Sequence, residues 1–130
     1  MSWDSYITSF LEGAGKGNGG AIIGLNGGVW AVKGLNVQAA EAQALATAMS
    51  TGNVSNFQQA GIHLGGKKFT MNRYDGEEGV LYAKQGKTGV SCYKTNQAVI
   101  IGYYEETTAS PGQSSDATYK CAKYLMDAGY

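Results

Sequence analysis

Proline and histidine each occur once in the 130 residues, cysteine twice, and neither sign of charge prevails, ten Lys and Arg offsetting ten Asp and Glu. Each scarcity excludes something. Two cysteines, Cys92 and Cys121, make no disulfide framework, and with the lone His63 so far from either they lack metal-ligand spacing. A net charge of zero removes whole-molecule attraction to nucleic acid or to an anionic membrane. No apolar run approaches the roughly 18 residues that cross a bilayer, and the N-terminus has neither the basic segment nor the apolar stretch of a secretory signal. The expectation is a cytoplasmic protein with both thiols reduced. An apolar content of 43% against 15% charged residues excludes a disordered chain, and the length suits one domain, residues 1–130, with its own core.

Catalytic signatures are equally scarce. GKGNGG (15–20) satisfies the G-x-G-x-x-G dinucleotide pattern, but it follows a helical stretch and precedes an extended one, the reverse of what places a helix N-terminus against a pyrophosphate. It reads as a flexible loop. QGKT (85–88) resembles the end of a phosphate-binding loop, yet Leu81 stands where the earlier glycine belongs and a strand follows, so a basic hairpin turn is the plainer account. DGEE (75–78) reads as an acidic turn, His63 as a structural side chain, and no Ser-His-Asp order presents itself. Neither an enzyme nor a cofactor site is expected.

What the chain does have is pattern. Residues 2–12 place Trp3, Tyr6, Ile7, Phe10 and Leu11 at helical spacing behind Ser2 as N-cap, with Asp4 in the first turn. GAIIGLNGGVWAVKG (20–34) sets two apolar runs around Asn26-Gly27-Gly28, a hairpin signal with Trp30 on its second strand. QAAEAQALATAMS (38–50) is a second helix by composition, stopped at Gly52-Asn53. HLGGKKFTMNRY, GVLYAKQG, GVSCYKT and NQAVIIGYYEE follow as an antiparallel meander of four strands, and after Pro111-Gly112 a last helix runs from about Ser114 to Asp127. Six strands between terminal helices make an α+β domain.

Two distributions bear on function. Trp3 and Tyr6 on the first helix, Trp30 on the hairpin and Tyr124, Leu125 and Tyr130 at the end converge if the two termini lie side by side, as they tend to in small domains. Rings with an N–H or O–H to spare form the surface that grips a polyproline II segment, which loses little entropy on binding and offers carbonyls in need of donors. Taken alone, Trp30 and Phe10 read as core. Six of the ten basic residues, Lys67, Lys68, Arg73, Lys84, Lys87 and Lys94, fall in one stretch, with Asp75, Glu77 and Glu78 interleaved. That stretch is either an ordinary solvated strand surface or a docking face for an acidic partner.

SWDSYI at the start, AIIGLNGGVWA, LGGKKF, KTNQAVIIGYYEE, SPGQ and the closing YLMDAGY stand in an order and at separations that cover the whole chain, and on them the sequence resembles a profilin of the short plant and protist type. The resemblance implies a central antiparallel sheet of six to seven strands, with the N- and C-terminal helices together on one face and short helices on the other, in a non-catalytic, cytoplasmic and cytoskeletal protein that binds monomeric actin and regulates its polymerisation, delivering it to growing filament ends. It implies proline-rich partners such as formins, phosphoinositide lipids at the membrane surface, and no cofactor of its own. On the matching positions it puts the proline ligand on Trp3, Tyr6, Trp30, Tyr124, Leu125 and Tyr130. It puts actin on Lys68, Met71, Arg73, Lys84, Lys87, Gln113, Ser115 and Asp116, and phosphoinositides on Lys67, Lys68, Arg73, Lys84 and Lys87. Asn72, Tyr74, Tyr103 and Tyr104 depart from the family pattern in polarity or bulk. A proline-binding scaffold module without actin binding is the alternative reading.

Overall fold

In the computed structural model, which describes residues 2–130, the chain forms a seven-stranded antiparallel sheet with helices on both faces. Helix α1 (Trp3–Phe10) leads into a two-stranded ribbon, β1 (Glu12–Gly13) with β2 (Gly17–Asn18), and then into the hairpin β3 (Gly20–Gly24) and β4 (Val29–Lys33). Helices α2 (Ala39–Thr51) and α3 (Ser55–Ala60) follow. The meander is β5 (Ile62–Leu64), β6 (Lys67–Asp75), β7 (Val80–Gln85), β8 (Thr88–Lys94) and β9 (Ala98–Glu105), and α4 (Pro111–Asp127) closes the chain. The strand order β4-β3-β9-β8-β7-β6-β5 returns β9 to the middle, beside β3.

The period-2 alternation of the central strands creates two cores. Ala21, Ile23, Leu81, Ala83, Val90, Val99 and Ile101 point to one face, where Ala42, Leu45, Ala46 and Met49 of α2 cover them. Ile22, Ala98 and Ile100 point to the other, under Ile7 of α1, Leu11 just after that helix, and Cys121, Ala122 and Leu125 of α4. Because both faces of β3 and β9 are apolar, neither can be left to water, and the terminal helices are drawn together on one of them. The expected α+β architecture is therefore present.

The boundaries differ in instructive ways. HLGGKKFTMNRY is two strands, since Gly65 and Gly66 both take positive φ, +63° and +75°, the turn that joins a tight hairpin. Glu41 fixes that turn from α2: its Oε1 accepts from Gly65 N at 2.8 Å and its Oε2 from Gly66 N at 3.2 Å. The glycine-rich segment after α1 is a short paired ribbon and not simply a loop. Helix α4 begins at Pro111, three residues before the expected start: Ser110 Oγ accepts from Gln113 N and Gln113 Oε1 accepts from Ser110 N, a capping box with proline at the first helical position. Asp75 Oδ1 accepts from Glu77 N and Glu78 N, so DGEE is the acidic turn its sequence indicates. His63 is exposed on β5. Cys92 and Cys121 are buried free thiols, each pushed up to about 12 by burial, which keeps them protonated and poor nucleophiles.

Helix α4 lies against β9 closely enough that only glycine fits beneath it. A Cβ on Gly102 would collide with Oγ1 of the fully buried Thr118, whose hydroxyl is already committed to Ser114 O at 2.7 Å. Gly102→Ala is expected to cost about 1–3 kcal/mol, the range for overpacking a filled core, and urea denaturation followed by circular dichroism measures it. An unchanged midpoint would mean that α4 sits further from the sheet than the structure has it.

Candidate functional site

Three elements bring the aromatic residues together. Trp3 and Tyr6 lie on the same side of α1, ring centroids 5.6 Å apart. Trp30 belongs to the edge strand β4, where the register slips: Ile22 faces Ala31 and Ile23 faces Val29, leaving Trp30 as an extra, unpaired residue. Such a bulge redirects a side chain, and here the indole lies 4.7 Å from Trp3. Gly24 makes room for it, since a Cβ there would stand 2.8 Å from Trp30 Nε1. Tyr130 meets Trp3 edge-on at 4.9 Å, and Tyr124 of α4 approaches Tyr6 at 5.8 Å. The result is a continuous row of rings across α1, β4 and α4, half-buried at Trp3, Tyr6 and Trp30 and open at Tyr124 and Tyr130, which are 49% and 37% exposed.

Leu125 does not join the row. It is 0% exposed, packed with Ile7 and Leu11 beneath the rings, because adjacent helix positions differ by about 100° and Tyr124 already takes the outward direction. It supports the platform from below. Phe10, which reads as core in isolation, extends the row instead, 5.5 Å from Tyr124 and half-buried; its position four residues after Tyr6 is the sequence signal for this.

The second set of expected site residues is divided by the sheet. Arg73, Lys84 and Ser115 gather around Tyr82 on the α4 face: the Arg73 guanidinium lies 5.8 Å from the Tyr82 ring, and Ser115 Oγ is 2.7 Å from the Tyr82 hydroxyl. Lys84 and Ser115 line a cavity of about 320 Å³ with Tyr82, Tyr104 and the first turn of α4. Lys84 Nζ donates to Glu106 Oε1 at 2.8 Å, and that hydrogen bond raises the ammonium above its ordinary value. Tyr93, hydrogen-bonded to both Tyr82 and Ser115, is pushed up to about 12, mainly by burial. Lys68 is exposed on β6, an even number of residues from Thr70, which pairs with Lys84, and Lys87 occupies the β7–β8 turn.

The remaining positions lie elsewhere. Lys67 points to the opposite face, where its Nζ donates to Tyr103 hydroxyl at 2.7 Å and lies 4.8 Å from that ring, so the basic stretch is not one patch. Met71 packs on the α2 core. Gln113 is used in capping α4, and Asp116 pairs with Lys120 at 2.9 Å; both line a groove against α1 and the β1–β2 ribbon, away from Tyr82.

Comparison with known proteins places this arrangement. The Profilin family model matches residues 1–130. Profilin-1 of Entamoeba histolytica is 57% identical over 131 residues, covering 100% of each chain. The crystal structure of Acanthamoeba castellanii profilin II superposes with a TM-score of 0.88 at 34% identity, covering 99% of this chain and 100% of that one. Mouse profilin IIa, solved in complex with a double repeat from the FH1 domain of mDia1, shares the fold at 20% identity with a TM-score of 0.76, covering 100% of each chain. A match that runs from the first residue to the last, with relatives of the same extent, makes this chain a member of the profilin family, cytoplasmic and cytoskeletal proteins that bind actin and regulate its polymerisation without catalysing a reaction.

Proposed function

We propose that this protein is a two-faced cytoplasmic adaptor. The aromatic row holds a proline-rich segment of a filament-building partner such as a formin, while the surface around Tyr82 holds an actin monomer for delivery to a growing end. The observation that carries this reading is the convergence of Trp3, Tyr6, Trp30, Tyr124 and Tyr130 into one open row of rings. Aromatic faces pack against pyrrolidine rings, and the Trp N–H and Tyr O–H groups are donors for the unpaired carbonyls of a polyproline II helix. Mouse profilin IIa in complex with an FH1 repeat supports the choice of ligand class. Leu125 contributes by packing under the rings.

Actin docking is assigned to Lys68, Arg73, Lys84, Lys87 and Ser115, with Met71, Gln113 and Asp116 at its margins. Lys68, Arg73 and Lys87 are exposed, Arg73 lying 3.6 Å from Asp75, while Lys84 is half-buried and paired with Glu106; such cations favour an acidic partner and raise the rate of encounter more than they raise affinity. The same cations, without Lys67, are the group for phosphoinositide headgroups. Nothing in either role requires a cofactor, because actin brings its own nucleotide and a binding protein acts only by favouring one actin conformation.

Truncation of a central aromatic anchor typically costs 2 kcal/mol or more. Trp3→Ala is therefore expected to weaken binding of a labelled proline-rich peptide by at least about 2 kcal/mol, read by fluorescence anisotropy, and to leave actin affinity unchanged. Equal loss of both, with a lower melting temperature, would make Trp3 a core residue and remove the platform.

Charge reversal at Arg73 and Lys84 together is expected to slow association with actin roughly tenfold at low ionic strength, measured by stopped flow, with peptide binding untouched. It is also expected to reduce retention on vesicles containing phosphoinositide. Association as fast as that of the unmodified protein would rule this surface out as the actin face. Failure to bind actin with any variant, alongside intact peptide binding, would favour a scaffold module instead.

A further inference from the structure

Tyr130 stands past the end of α4, outside any helix or strand, yet its ring has a defined edge-on contact with Trp3. The geometry points to Thr95 and Gln97, in the turn between β8 and β9, as positioning residues for the proline site that act through Tyr130. The inference rests on the aromatic row being that site.

Two devices hold Tyr130. The first belongs to α4: Gly129 takes φ +97°, Gly129 N donates to Met126 O at 3.0 Å and Tyr130 N donates to Leu125 O at 2.8 Å, the paired bonds of a Schellman ending. The second comes from the sheet. Tyr130 backbone oxygen accepts from Gln97 N at 2.6 Å and from Thr95 Oγ1 at 2.9 Å, and Gly129 O accepts from Gln97 Nε2 at 3.1 Å. Thr95 is 4% exposed, so its hydroxyl has no solvent to turn to. That hydroxyl has one proton, and Tyr130 oxygen is nearer to it than Ala98 O at 3.3 Å, while Ala98 N donates to the hydroxyl oxygen at 3.0 Å.

The same turn reaches the other neighbour of Trp3. Gln97 O accepts from Leu25 N at 3.0 Å, at the head of the hairpin that carries Trp30. One residue thus ties down both elements that flank the central indole, Tyr130 through Gln97 N–H and the β3–β4 hairpin through Gln97 C=O. A binding surface held in place before its ligand arrives loses less conformational entropy on binding. Thr95 and Gln97 therefore set the affinity of the platform without touching the ligand.

A double-mutant cycle separates positioning from general stabilisation. Thr95→Val removes the hydroxyl and keeps the shape, and Thr95→Ser restores the hydroxyl. Thr95→Val is expected to weaken binding of a labelled proline-rich peptide about fivefold, with Thr95→Ser close to the unmodified protein and actin affinity unchanged in both. In a Tyr130→Ala background Thr95→Val is expected to have no further effect on peptide affinity, because the ring through which it acts is gone. Gln97→Ala, an exposed change that removes only the bond to Gly129, is expected to weaken the peptide about twofold with the same dependence on Tyr130. It serves as the arm that remains if Thr95→Val folds poorly. Equal losses with and without the Tyr130 ring, or no loss from Thr95→Val or Gln97→Ala, would overturn the inference. If the unmodified protein fails to bind the peptide, the platform reading falls and this one with it. If it binds, and Tyr130→Ala weakens it while Thr95→Val and Gln97→Ala do not, only the positioning role falls.

Discussion

The rest of the molecule depends on the packing of α4 against the middle of the sheet. Strands β3 and β9 are apolar on both faces, and on one of them the cover is supplied by α1 and α4 side by side. Glycine at position 102 allows α4 to descend until Thr118 touches the strand, and at that depth Leu125 and Cys121 fill the space over Ile22 and Ile100. A higher helix would open that core and separate Tyr124 from Tyr6.

The same helix serves two surfaces because its flanks and ends point differently. Ser115, near its start, meets the tyrosine hydroxyls of β7 and β8, while Tyr124, near its end, faces α1. Nine residues of helix at 1.5 Å each put them about 14 Å apart along the axis. A proline-rich segment and an actin monomer placed on these surfaces approach from different sides, joined by a rigid element that neither has to deform.

Much of this was legible in the sequence, for physical reasons. Asn26-Gly27-Gly28 between apolar runs specifies a hairpin because few other residues tolerate such a turn, and Gly27 does take φ +94°. Helical spacing puts Trp3 and Tyr6 on one side of α1, where they are found, although Phe10, which reads as core, extends the same row. Elsewhere local pattern was insufficient. The side-chain period of a strand sends Lys67 and Lys68 to opposite faces whatever their shared charge, and the period of a helix does the same to Tyr124 and Leu125. The bulge that frees Trp30 depends on the pairing of β4 with β3, and the Gly65-Gly66 turn on Glu41 of a distant helix. The bulge is not written in the residues that adopt it, whereas the glycine pair signals a turn and only its anchoring by Glu41 lies outside the local pattern. The hold of Thr95 and Gln97 on Tyr130 is likewise a contact between segments far apart in the chain.

The central claim is that the two surfaces work at once and independently, so the most direct measurement is the affinity of a labelled proline-rich peptide with and without saturating monomeric actin. Analytical ultracentrifugation of the three-component mixture reads both the affinity and the species present. The account predicts a ternary complex in which the peptide dissociation constant changes by less than about twofold, as expected for separated sites that share no partners. Displacement of the peptide by actin would contradict it, since the aromatic row and the surface around Tyr82 would then be parts of a single site.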